Sequence, residues 1–186
     1  MQLDIGSARK LVDEHTANES LRRHMTAVGS IMRGVASRLG EDQDLWQVVG
    51  LVHDVDFEET DMKQHGLKAS QMLKDLLPKE ALDAIASHNY ENTGVMPTST
   101  MSKALIASDA VSGLIVAAAL VMPDKKLSRV TASGLLRKFK DKDFARGADR
   151  DKMSYCEQIG IPLQEFLGIA LRSAQEVAVE LGFGGD

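Results

Sequence analysis

Apolar residues recur at steps of three and four along most of this chain, the spacing of amphipathic helices. Between residues 21 and 39 the apolar set is Leu21, Met25, Val28, Ile31, Met32, Val35 and Leu39. Asn18 is placed to cap the first turn of that helix and Gly40 to stop the last. A shorter helix is expected over about 42–54, carrying Leu45, Trp46, Val49 and Val52, and another over about 63–76, carrying Leu67, Met72, Leu73 and Leu76. Pro78 suits the first position of a helix that holds Leu82 and Ile85 and ends near His88. Residues 89–99, with Gly94, Pro97 and several turn formers, read as a loop. Thr100 opens a long apolar helix closed by Pro123. Further helices are expected over about 128–141, 149–159 and 162–181, divided by Gly147 and by Gly160–Pro162. Alternating strand patterns with hairpin turns are missing. The expectation is an all-α protein, one domain over residues 1–186 with about seven or eight helices.

Composition narrows this picture. A chain of 186 residues buries roughly two-thirds of its unfolded surface, enough for a core without disulfides. Its single cysteine, Cys156, excludes an internal disulfide and any multi-cysteine zinc or iron–sulfur site. The 22 Lys/Arg against 27 Asp/Glu give a net charge of −5, which argues against a nucleic-acid coat or an anionic-membrane binder. Residues 104–122 are apolar enough to suggest a membrane span. Alanines, serines and Gly113 dilute the stretch, and Asp109 near its middle would be costly in lipid, so a buried core helix and no membrane partner are expected. The first residues have no basic-plus-apolar leader, and a cytoplasmic protein is the expectation.

The five histidines (His15, His24, His53, His65 and His88) all lie in the first half of the chain. His53 and Asp54 are adjacent and follow the apolar run Val48-Val49-Gly50-Leu51-Val52, so an imidazole and a carboxylate stand together where a buried helix emerges. Asp109 sits inside the most apolar helix, with no Lys or Arg between Lys103 and Lys125 to pair with it locally. A carboxylate buried there needs a charge partner, a metal or a proton. Imidazole with carboxylate suits Fe, Mn, Zn or Ni, and six such groups suffice for two ions if Asp54 is shared.

The order His24 … His53-Asp54 … His65 … His88 … Asp109 resembles the H…HD…H…H…D signature of the HD-domain metal-dependent phosphohydrolases. HGLKASQML after His65, HNYENTGVMP after His88 and KALIASDAVSGLI around Asp109 resemble the corresponding stretches of the dinuclear branch. Asn89 stands where the cyclic-dinucleotide phosphodiesterases have a second histidine, and G-V-M-P replaces their GYP. The chain is most similar to small single-domain bacterial HD hydrolases, and the resemblance covers about residues 20–122, leaving 123–186 as a C-terminal helical part.

The resemblance implies an HD-type helical bundle that binds divalent transition metal, two ions of Fe, Mn, Zn or Ni, or else Mg. Carried over, His24, His53, Asp54 and Asp109 hold the first ion, and Asp54, His65 and His88 the second. A metal-activated water would attack a small phosphorylated substrate, a nucleotide or other phosphoester. Of the acids after the HD pair (Asp56, Glu58, Glu59), Glu58 is the expected acid/base group, and Lys103 assists catalysis and binds substrate. Between Lys125 and Lys152 stand ten Lys/Arg and four Asp, a basic stretch that could draw a phosphate in, with Arg150 as a substrate contact. With only Phe139 and Phe144 interleaved, no nucleic-acid partner is expected. Two other readings stay open, a di-iron oxygenase of the same superfamily and a non-catalytic metal or ligand sensor. Phe166, Leu167 and Val177 could pair two chains into a homodimer or complete the core.

Overall fold

The structure, a computed structural model, describes residues 3–184. Its elements are α1 (Ile5–His15), α2 (Glu19–Leu39), α3 (Gln43–Val52), α4 (Leu67–Met72), α5 (Lys79–Ser87), α6 (Tyr90–Thr93), α7 (Thr100–Leu120), α8 (Ala132–Lys140), α9 (Arg150–Met153), α10 (Tyr155–Gln158) and α11 (Leu163–Glu176). Short 3-10 turns occupy Phe57–Glu59 and Leu127–Arg129, and no strand occurs among the described residues. The fold is the all-α bundle that the periodicity predicts.

Local chemistry explains most boundaries. The Asn18 side chain accepts hydrogen bonds from the Ser20 and Leu21 amides, and Gly40 closes α2 at φ 75°. Asp42, Ser99 and Thr131 cap α3, α7 and α8 in the same way. Helix α7 is the axis of the bundle, with Ala104, Leu105, Ala107, Val111, Leu114 and Ala118 fully buried. It is the one described helix long and apolar enough to cross a membrane, but 61% of its most apolar window is buried inside the protein. Helices α2, α3, α5, α9, α10 and α11 all pack against it.

Helices α2 and α3 cross almost backbone to backbone. A Cβ on Gly50 would lie 2.7 Å from the Gly29 Cα, and one on Gly29 would lie 2.8 Å from the Leu51 Cγ. Only glycine permits that approach, which carries the end of α3, where His53 stands, in toward His24 on α2.

Four elements depart from the sequence reading. Helix α1 was not expected, because its buried set is only Ala8 and Val12. Its start is nonetheless encoded by Asp4, whose Oδ1 accepts the Ser7 amide at 2.7 Å. The helix expected over 63–76 is regular only over 67–72, since Gly66 adopts φ 86°. Residues 90–93 form one helical turn within the expected loop, and the segment expected over 149–159 breaks at Ser154 into α9 and α10. Toward the end of the chain, Phe166 and Leu167 are fully buried on α11 and belong to the core, and Val177 just past it is half-buried.

Candidate metal centre

Asp54 sits at the point where five segments meet. His53 ends α3, His88 ends α5, His65 precedes Gly66, His24 comes from the first turns of α2, and Asp109 from the middle of α7. The Nε2 atoms of His53, His65 and His88 lie 3.2, 3.2 and 3.3 Å from Asp54 Oδ1. The Nε2 of His24 lies 3.5 Å from Asp54 Oδ2 and 3.2 Å from Asp109 Oδ1. All six residues named from the sequence are therefore gathered in one cluster. His53 is fully buried, Asp54, His65 and His88 are nearly so, and Asp109 is 32% exposed at the edge.

Each ring is held through its other nitrogen. Nδ1 of His53 donates to the Gly50 carbonyl at 2.9 Å and Nδ1 of His88 to the Ile85 carbonyl at 2.6 Å. Nδ1 of His65 donates to Asp56 Oδ1 at 2.8 Å. Ser112 Oγ donates to the Asp109 carbonyl at 2.7 Å, so it receives the proton of His24 Nδ1 at 3.0 Å. In the neutral imidazoles this leaves the Nε2 lone pairs turned into the cluster, toward carboxylate oxygen and, for His65 and His88, also toward each other at 3.0 Å. Second-layer hydrogen bonds of this kind orient metal-ligating histidines.

The electrostatics follow from burial and crowding. Burial pushes the His53 pKa down to about 4, more than the Asp54 charge can offset, so the ring is neutral at pH 7. Its Nε2 is buried without a hydrogen-bond partner. Burial also opposes the charge on His65, but Asp54 and Asp56 outweigh it and raise its pKa to about 9. For His24, burial is outweighed by Asp109 and Asp54, and the pKa rises. Asp54, despite burial, is held well below the usual carboxylate range by His53, His65 and His88. Asp109 is lowered as well, His24 overcoming the burial effect. The cluster is an electron-rich pocket that calls for positive charge at its centre. His24, His53 and Asp109, and likewise His53, Asp54 and His88, each offer ligand atoms within 4.8 Å of one another, fit to hold a metal ion.

The remaining site expectations fare differently. Glu58 points away from the cluster: its carboxylate accepts the Ala17 and Asn18 amides at 2.6 and 3.0 Å and ties down the loop before α2. Its neighbour Asp56 is the inward acid, fully buried, with Oδ2 accepting the Gly66 and Ala69 amides at 3.0 Å each. Arg150 is also corrected. Its guanidinium donates to the carbonyls of Lys138, Phe139, Asp141, Phe144, Ala145 and Ala148, which commits it to shaping the 138–148 segment rather than to a substrate. Lys103 is half-buried on α7, six residues before Asp109, and no hydrogen bond or ion pair joins it to the cluster. His15 bonds Glu59 at 2.9 Å, away from the centre.

Sequence reasoning missed three contributors. Ser112 follows Asp109 by three residues, a spacing that puts both on one helix face. Asn89 is buried and donates to the carbonyls of Met62 and His65 at 2.6 and 3.1 Å, fixing the turn that bears His65. Gly66 is required there because its backbone stands at φ 86° and a Cβ would lie 2.9 Å from the Ile85 carbonyl oxygen.

A family model for the HD domain matches residues 21–118, from the start of α2 nearly to the end of α7. Searches of curated proteins and of solved structures returned no significant match.

Proposed function

Because the chain belongs to the HD-domain family, we propose that it is a metal-dependent phosphohydrolase acting on a nucleotide or other small phosphoester. The observation that carries this reading is the buried His53 Nε2, a lone pair without a partner 3.2 Å from an Asp54 carboxylate oxygen. Two electron-rich atoms so placed repel each other, and a cation near both turns that cost into ligation. The donor set fits: four imidazoles and two carboxylates suit Mn, Fe, Zn or Ni.

His24, His53, Asp54 and Asp109 would hold one ion, and Asp54, His65 and His88 a second. When bound, such ions acidify water toward neutral pH and offset the charge on phosphoryl oxygens. The chain's own residues do the rest. Asp54 presents Oδ2 toward His24 and Oδ1 toward the other three rings. The Nδ1 hydrogen bonds hold the rings in place, so little reorganisation is needed on binding. Burial of His53, Asp54 and His88 excludes water from the inner side, while partly exposed His24 and Asp109 mark the side open to substrate.

The test is elemental analysis of untagged, anaerobically purified protein, joined to phosphate release from a panel of phosphoesters. The expected result is bound transition metal and activity that Asp54→Ala and His53→Ala abolish, with helix content by circular dichroism near wild type. Full activity in both variants, or iron-dependent oxygen uptake without phosphate release, would overturn the reading.

A further inference from the structure

Beside the cluster lies a cleft of about 470 Å³ with two walls of different origin. His24, Asp109, Ala110, Ser112 and Gly113 form the inner wall, and residues from Ala145 to Lys152 form the outer one. The outer wall lies beyond residues 21–118, the segment matched by the HD domain. It is a built surface. Arg150 holds the Ala145 and Ala148 carbonyls at 2.7 and 2.5 Å, and Ala145 is fixed at φ 47°, unusual for a residue with a side chain.

Two glycines on this cleft have no explanation in packing. Gly113 lies inside the 21-residue helix α7, where glycine weakens the helix. It needs no left-handed backbone, and a Cβ there would meet nothing within 4 Å. The same holds for Gly147 on the opposite wall. Close approach accounts for Gly29 and Gly50, but at Gly113 and Gly147 the feature in common is the open space that a side chain would occupy.

The charged lining is balanced. Lys152 Nζ lies 2.6 Å from Glu91 and 5.7 Å from the centre of the Tyr90 ring. Asp149 uses Oδ1 to cap α9 through the Asp151 and Lys152 amides, each at 3.0 Å, which leaves its Oδ2 to bond elsewhere. With Asp109 and Asp149 set against Lys152, the cleft has no surplus of positive charge for a polyphosphate tail. A neutral, hydroxyl-bearing group matches it: Asp149 Oδ2 accepts from a hydroxyl and Lys152 donates to one.

We propose that this cleft is the specificity subsite for the organic group of a phosphomonoester, with Asp149 and Lys152 binding its hydroxyls and Gly113 and Gly147 leaving it room. The assignment rests on the phosphohydrolase reading above. It makes the C-terminal segment, outside the matched HD region, the part of the chain that selects the substrate.

The experiment compares Gly113→Leu and Lys152→Gln with wild type on acetyl phosphate, ribose 5-phosphate, and a nucleoside mono- and triphosphate. Calorimetric binding of the two larger monoesters to the same proteins is measured alongside. Acetyl phosphate is too small to need the subsite. Gly113→Leu, which fills open space and removes a helix-weakening glycine, is expected to leave its kcat/KM within about threefold of wild type. For the better of the larger monoesters, KM and the dissociation constant should each rise by about tenfold or more, with kcat changing little. Lys152→Gln should act in the same direction, more weakly. Equal effects of Gly113→Leu on small and large substrates, no effect on either, or preference for the triphosphate would overturn the subsite while leaving the phosphohydrolase reading standing. Binding of the monoesters without turnover of any phosphoester by wild type would instead defeat that reading, and the subsite assignment with it.

Discussion

Asp56 offers the sharpest test of how the cluster is held. Its carboxylate is fully buried and accepts three hydrogen bonds, from His65 Nδ1 at 2.8 Å and from the Gly66 and Ala69 amides at 3.0 Å each. Asparagine is nearly isosteric but offers one acceptor oxygen instead of two. If that oxygen stays with the two backbone amides, the new NH2 faces His65 Nδ1. The ring then has to accept at Nδ1 and carry its proton on Nε2, the atom 3.2 Å from Asp54. One charge-assisted hydrogen bond is lost, about 1.5–3 kcal/mol. More important, the neutral His65 ring that would ligate a metal then keeps its proton on Nε2 rather than Nδ1, so its lone pair no longer faces the ion. Loss of an orienting partner of this kind costs roughly 10–100-fold in metal affinity. Asp56→Asn should therefore fold, with a denaturant midpoint lowered by an amount matching that energy, and should bind the His65-side ion about 10–100-fold more weakly. Titration against a competing chelator, read alongside urea unfolding, measures both quantities. Two ions bound with unchanged affinity in a folded Asp56→Asn protein would refute the argument that Asp56 sets the state of His65.

Three further outcomes are expected. Gly50→Ala places a Cβ 2.7 Å from the Gly29 Cα and should lower stability by about 1–3 kcal/mol in chemical denaturation; wild-type stability would contradict the backbone-to-backbone crossing of α2 and α3. The Cys156 thiol is fully exposed only on unfolding, and burial pushes its pKa up to about 12, so a disulfide reagent at pH 8 should label it in denaturant and not in the native protein. Prompt native-state labelling would show that the α10 region opens. Glu58→Gln should lower the thermal midpoint, because the Glu58 carboxylate ties down the Ala17 and Asn18 amides, yet leave phosphatase kcat/KM unchanged; a large fall in kcat would restore Glu58 to the chemistry.

How much of the centre could be read in advance depended on how unusual each residue is in its setting. Asp109 in an apolar helix and His53-Asp54 behind an apolar run are conspicuous because burying them without partners is expensive. The family's residue order picked out His24, His65 and His88 as well. The choice among Asp56, Glu58 and Glu59 was different. All three follow the HD pair within five residues, and their composition says nothing about which one turns inward. The turn after α3 decides, sending Asp56 under His65 and Glu58 toward the start of α2. Arg150 and Lys152 were likewise indistinguishable within one basic stretch. Six carbonyls surround the Arg150 guanidinium, whereas Lys152 pairs with Glu91 and lines the cleft beside α7.

What the sequence determined by itself is therefore what depends on residue type and spacing along one element: the helical periodicity, the caps at Asn18, Asp42 and Ser99, the stop at Gly40, and the supply of imidazoles and carboxylates in apolar surroundings. The tertiary structure alone decided what depends on distances between elements. It brought five segments to Asp54, turned each Nδ1 onto an oxygen so that each Nε2 faces inward, and set the 145–152 segment across the cleft from α7. Hydrogen bonds and ligand contacts act over about 3 Å. Residues as far apart in sequence as Ser112 and His24 come within that range only once the core has closed around them.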